Sequence, residues 1–153
     1  MNKYTKEECL EAIKNNGTLE NIDLSELDLR TVDFKGISLK RAKLTSARLN
    51  GANLSGCDLG SADLTFTNIT QGNLENANLS ESNLYNSILQ NTSLKNCDLT
   101  AANMSETDMT EANLSGANLT RADLSQANIS QANLESTILD GSNIDKSSMT
   151  KEA

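Results

Sequence analysis

Ala112-Asn113-Leu114-Ser115-Gly116, Ala117-Asn118-Leu119-Thr120-Arg121, Ala122-Asp123-Leu124-Ser125-Gln126, Ala127-Asn128-Ile129: in this stretch an apolar residue returns at every fifth position. The same register runs from Leu19 to Met149, and all 27 of its positions hold Leu, Ile, Met or Phe. A helix turns about 100° per residue, so five residues advance about 140° and scatter these side chains around its surface. A strand alternates faces with period two, so an odd spacing sends successive centres to opposite faces. A chain that turns once per five residues buries them all, because each turn resets the inward direction.

The rest of the phrase agrees. Two residues before each centre, every position from Ala42 to Ser147 is Ala, Cys, Gly, Ser or Thr, a place with little room. The residue just before the centre is mostly Asn or Asp, which bond locally to the backbone and favour turns. The two residues after it are mostly polar and read as solvent-facing.

The A-[DN]-L-x-x phrase resembles the pentapeptide-repeat proteins over about residues 18–150. The resemblance implies an all-β solenoid, a right-handed quadrilateral β-helix with four pentapeptides per coil. At about 4.8 Å between coils, 27 repeats then make about seven coils and a rod roughly 32 Å long. We divide the chain into an N-terminal capping helix (1–17), the β-helix (18–150) and a C-terminal tail (151–153).

At 153 residues the chain is one domain, with few aromatics and no material for a wide globular core. A solenoid needs none, since each coil buries its centres against its neighbours. No apolar run is long enough to span a bilayer. Met1 to Asn16 is charged and lacks a signal-like apolar region, so a cytoplasmic location is expected. The net charge of −8 argues against direct nucleic-acid binding.

Residues 5–16 read as the only helix. Thr5 and Glu8 form a capping box, Tyr4 and Cys9 a hydrophobic staple, and Asn15, Asn16 and Gly17 stop it. Cys9, Leu10 and Ile13 share one face. That face seals the first coil, where Ile22, Leu27, Val32 and Ile37 occupy the normally small position. Open solenoid ends need such covering.

Arg30, Lys35, Lys40, Arg41, Lys43 and Arg48 form a basic collar beside Asp23, Glu26, Asp28 and Asp33. A solvated, balanced surface is the plain reading of such a run. Beyond residue 48 the chain is acidic. With four sides per coil, Asp58, Glu81, Asp98 and Asp140 fall on one side and Asp63, Glu106, Asp123 and Asp145 on the next, a candidate acidic interaction edge. The edge carries several-fold less charge than DNA, which has about one charge per 1.7 Å. Phe66, Tyr85 and Ile88 fall near one corner, a candidate apolar contact patch.

No catalytic, cofactor or metal site is expected. The chain has no His, and Cys9, Cys57 and Cys97 lack metal-ligand spacing. Cys57 and Cys97 read as alanine-sized fillers two coils apart, too far for a disulfide. Cys9 is expected to be the most reachable thiol. The carboxylates sit on open flat sides with no sign of a pocket.

Two functions follow. The first is a non-catalytic scaffold that binds a protein partner on its rigid sides. The second rests on the resemblance: some family members mimic B-DNA and bind type II topoisomerases such as DNA gyrase, modulating quinolone action. The resemblance also implies a homodimer joined end to end through the C-terminal coil.

Overall fold

The computed structural model describes residues 1–144. Its elements are a short strand β1 (Asn2–Lys3), helix α1 (Lys6–Lys14) and a short strand β2 (Ile22–Asp23). After β2 the chain forms single parallel bridges, each joining a residue to the one twenty places on, from Asp23↔Lys43 to Asn118↔Ile138. Four pentapeptides therefore separate stacked neighbours, the spacing expected from four sides per coil. Four ladders result, and every described bridging residue is the one before an apolar centre. The strands are too short to extend because each side holds only about two paired residues before it must turn.

The turn explains the five-residue phrase. The N–H of the small residue donates to the carbonyl of the preceding centre, as in Ala42 to Leu39 at 2.9 Å. Between them, the second residue after each centre from Asn21 to Gly141 has a positive φ, as the third residue of a type II turn does. Most of these residues are not glycine; they include the β-branched Thr31 (60°) and the aromatic Phe66 (58°). The centre's own N–H then donates to the neighbouring coil, as in Leu54 to the Asn73 carbonyl at 2.7 Å. Asn and Asp close the corner as expected: the Asn68 Oδ1 accepts from the Thr70 N–H at 3.0 Å and the Asp123 Oδ1 from the Ser125 N–H at 3.0 Å.

The core is a column of these centres. Leu19 through Met109 are fully buried, with Phe34 the largest, and the small residues Ala42, Ala47, Ala52 and their successors fill the space beside them. At the N-terminal end Ile22, Leu27, Val32 and Ile37 are half-buried and join the same core. Helix α1 has the expected capping box, with the Thr5 N–H donating to Glu8 Oε2 at 2.7 Å and the Glu8 N–H to Thr5 Oγ1 at 3.2 Å.

Two details of the cap differ from expectation. Cys9 is fully buried and packs on the core with Tyr4, Ala12 and Ile13, whereas Leu10 is 41% exposed. The packed face runs through Cys9, Ala12 and Ile13 at i, i+3 and i+4, and Leu10 lies one residue, about 100°, off it. Cys9 is thus the seam of the cap and not a reachable thiol. The second difference is β1. Asn2 and Lys3 pair in parallel with Ile22 and Asp23, so the N-terminus occupies the place of a preceding coil at the same twenty-residue offset. At the other end Leu134, Leu139 and Ile144 are half-buried. The tail and the residues carrying the expected C-terminal dimer contact lie outside the described residues.

A buried centre and a half-buried one should respond differently. Leu74→Ala should lower stability by about 2–5 kcal/mol, the range for fully buried leucines, and Leu134→Ala by markedly less. Denaturant melts of both variants test this, and equal losses would contradict the burial gradient.

Candidate interaction surfaces

The expected acidic edge resolves into two ladders. Ser38, Asp58, Asn78, Asp98 and Asn118 bridge in one, and Lys43, Asp63, Asn83, Asn103 and Asp123 in the next. The structure thus places Asp58 with Asp98 and Asp63 with Asp123, but an amide always stands between carboxylates. Asp58 and Asp98 are two rungs apart, about 9–10 Å. The carboxylates are also occupied. Asp58 Oδ1 accepts from the Gly60 N–H at 2.9 Å and from Asn78 Nδ2 at 3.0 Å. Asp63 accepts from Thr65 and from Thr45 Oγ1 across a coil. Glu81, Glu106 and Asp140 are exposed at turn positions. Asp145 lies outside the described residues.

Three cations of the basic collar, Arg30, Lys43 and Arg48, stand against acids, by stacking as well as by nearness in sequence. Lys3, Asp23, Lys43 and Asp63 follow one another in a single ladder and alternate in sign. In the adjacent ladder Asp28 bridges Arg48, whose Nη2 is 3.3 Å from Asp28 Oδ2, while Arg30 Nη2 approaches the same oxygen at 2.7 Å. The Arg30 guanidinium holds the Asp28 carboxyl well below the usual carboxylate range. Asp23 is held low first by its hydrogen bonds to Ser25, with Lys43 and Lys3 adding their charge. Asp123 is held low by Ser125 and Asn143. Applying the twenty-residue offset to the first residues of the chain would have found the Lys3 contribution.

A shallow depression of about 470 Å³ lies between α1 and the first coils, lined by residues including Lys6, Arg30, Asn50 and Gln71. Its Arg30 is already paired with Asp28. Among the described residues no group of three metal-ligating side chains occurs. The three cysteines are free and buried. Cys57 and Cys97 point inward and donate to the Phe34 and Leu74 carbonyls, as expected of fillers. Burial pushes the Cys9 and Cys57 thiols up to about 11 and Cys97 up to about 12.

The apolar patch is a real constellation. Phe66 and Tyr85 meet edge to face with ring centroids 5.6 Å apart and planes at 81°. Phe66 is 54% exposed and Ile88, on the neighbouring ladder between Asn68 and Asp108, is 37% exposed. Ile88 replaces a turn-closing Asn or Asp, a role that Asn68 and Asp108 fill on either side of it. The corner thus combines an aromatic in a left-handed turn with an apolar residue that closes no turn.

The pentapeptide-repeat region model matches residues 67–148, and the model for eight tandem pentapeptide repeats matches 22–60 and 37–76. The chain belongs to the pentapeptide-repeat family. Among solved structures, this pentapeptide-repeat protein is similar to HetL of the cyanobacterium Nostoc sp. strain PCC 7120, which is involved in heterocyst differentiation regulation. The identity is 29% over 83% of this chain and 68% of HetL, with a TM-score of 0.58. It also matches Rfr23 of the cyanobacterium Cyanothece 51142, at 27% identity over 81% and 84% of the two chains and a TM-score of 0.38. A trypsin-treated form of QnrB1, a plasmid-mediated fluoroquinolone resistance protein, matches at 20% over 82% and 78%, with a TM-score of 0.49. Among curated proteins none matches the chain.

Because all three thiols are buried, a water-soluble disulfide reagent at pH 8 should leave them unmodified in the folded protein and titrate them only in denaturant. Fast modification of Cys9 would contradict the docked cap. Acid should act through the carboxylates whose pKa values are lowered by folding: Asp23, Asp28, Asp108 and Asp123. A depressed carboxylate contributes stability above its unfolded value of about 4 and loses it as pH falls towards the folded value. Melting temperature should therefore be flat from pH 7 to about 5 and decline below about 4; a decline centred near pH 6 would contradict this assignment.

Proposed function

We propose that this protein is a non-catalytic interaction scaffold: a right-handed quadrilateral β-helix of about seven coils, working in the cytoplasm. One observation carries the reading. The Asn and Asp side chains before the centres are largely engaged in the rod's own turns and ladders, and the Phe66–Tyr85–Ile88 corner departs from that pattern without serving the fold. Residues that break a local rule with no structural gain are where function is expected. The partner class is protein, since a flat rigid surface with an aromatic anchor suits a macromolecular contact better than a small substrate. The likeness in fold and sequence to HetL, a protein involved in regulation, supports a regulatory role.

The DNA-mimic reading, with a type II topoisomerase as partner, draws less support. In the two acidic ladders each carboxylate is separated from the next by at least one amide, and the basic collar interrupts the charge. The likeness to QnrB1, at 20% identity, concerns the fold alone.

In a gyrase supercoiling assay at two salt concentrations, micromolar protein should neither inhibit the enzyme nor protect it from a fluoroquinolone. Inhibition that weakens with salt would promote the mimic reading. Turnover of a hydrolase or nucleotide substrate that tracks this protein through purification would overturn the scaffold reading itself.

A further inference from the structure

We propose that the Phe66–Tyr85–Ile88 corner is covered by the same corner of a second copy of this chain, lying alongside it and antiparallel. The inference rests on the reading of that corner as a contact surface and adds the identity of its occupant.

The argument is the order of charge along the corner. Stepping coil by coil, the turn column runs Ser46, Phe66, Asn86 and Glu106, and Asn86 Nδ2 reaches Glu106 Oε2 at 3.4 Å. The flanking ladder runs Arg48, Asn68, Ile88 and Asp108. Lys43 sits beside Asp63 on the ladder that leads into the corner. Cations Lys43 and Arg48 therefore lie on the coil before the aromatic pair, and acids Glu106 and Asp108 on the coil after it. The apolar residues occupy the two coils between.

This pattern is self-complementary under one operation. A two-fold axis perpendicular to the rod, passing between Phe66 and Tyr85, brings each coil against its mirror in the series. Arg48, which also touches Asp28 of its own chain, then faces Asp108 of the other copy on the same ladder, Lys43 faces Asn103 on the coil that carries Glu106, and each Phe66 faces the Asn86 turn between the opposite Tyr85 and Ile88. Residue i meets j and j meets i, as a two-fold contact requires. A parallel arrangement would set Lys43 and Arg48 against themselves, and like-charge opposition is unfavourable.

The corner also bears local costs that contact would offset. Phe66 holds φ at 58°, in the left-handed region where a bulky side chain is an outlier. Ile88 exposes an apolar chain where a polar turn-closer is the rule. A contact along one rod edge is narrow, and interfaces smaller than about 800 Å² per partner are typically weak or transient. The dimer is therefore weak and must be sought at high concentration.

The experiment uses the full chain. Sedimentation equilibrium up to about 1 mM should show a reversible dimer that weakens with added salt. Phe66→Gly should raise its dissociation constant at least tenfold while leaving the melting temperature of dilute monomer unchanged or higher, since glycine suits the turn. Ile88→Asn, which restores a turn-closing side chain, provides a second weakening variant should the first misfold. Register is read with a short bis-maleimide, which the buried native thiols do not meet. A mixture of Ser46→Cys and Glu106→Cys chains should cross-link to a heterodimer. Either variant alone should not, because equivalent residues lie three coils, about 14 Å, apart along the axis.

A chain that stays monomeric to about 1 mM overturns the proposal. So does a dimer that is indifferent to Phe66→Gly and Ile88→Asn and gives no mixed cross-link, since that contact lies elsewhere, as at the C-terminal end. Either failure leaves the scaffold reading standing, because that reading is judged by turnover and not by self-association.

Discussion

The five-residue turn is the constraint on which this structure depends. Each side of the coil must end in a left-handed residue, with the small residue's N–H returned to the preceding centre's carbonyl. That conformation costs a non-glycine residue roughly 1–2 kcal/mol, and most repeats accept the cost. It is offset locally: burying a centre such as Leu74 contributes about 1.5–3 kcal/mol, and each turn also makes backbone bonds to neighbouring coils. Stability is thus assembled turn by turn, and no single cluster dominates it. The same geometry dictates the small residue beside each centre, because Ala77 and its counterparts share the interior with a full leucine column.

Stacking at one strand spacing then imposes a rule on charge. Among the described ladders no carboxylate bridges a carboxylate and no cation bridges a cation. Lys3, Asp23, Lys43 and Asp63 alternate, and elsewhere Asn separates Asp from Asp. Like charges set directly opposite in a β pair are destabilising, and opposite ones or amides are not. The acidity of the chain is therefore spread along the rod in isolated, hydrogen-bonded carboxylates. This explains how a protein with net charge −8 stacks without obvious repulsion, and why it makes a poor imitation of a continuous phosphate backbone.

Against so regular a background, departures acquire meaning. Ser87 Oγ is a buried hydroxyl without a partner, and nothing in the structure explains it. The bulky Ile22, Leu27, Val32 and Ile37 have an internal use: they pack, half-buried, on the same core as Tyr4, Ala12 and Ile13 at the N-terminal end. Phe66 and Ile88 depart without any such internal reason, and they do so together. Where packing does not demand an exposed aromatic in a strained turn, contact with another surface is the remaining physical use for it.

The sequence by itself determined the period, the inward centres, the small neighbours, the turn-closing Asn and Asp, and the helix with its capping box. All of these are local: they follow from how far a residue reaches along its own chain, and repetition makes each one legible many times over. The four-sided offset implied by the family resemblance, used as a ruler, placed Phe66, Tyr85 and Ile88 at one corner. Only the tertiary structure decided what depends on contacts between coils. Cys9 is sealed and Leu10 exposed because a single 100° step on the helix chooses which side meets the coil. The first two paired residues, Asn2 and Lys3, become a surrogate coil because a ladder edge is open to them. The acidic positions lose their continuity because the amide stacked between them takes up the carboxylate, as Asn78 does for Asp58 at 3.0 Å, a contact made only when the coils are packed.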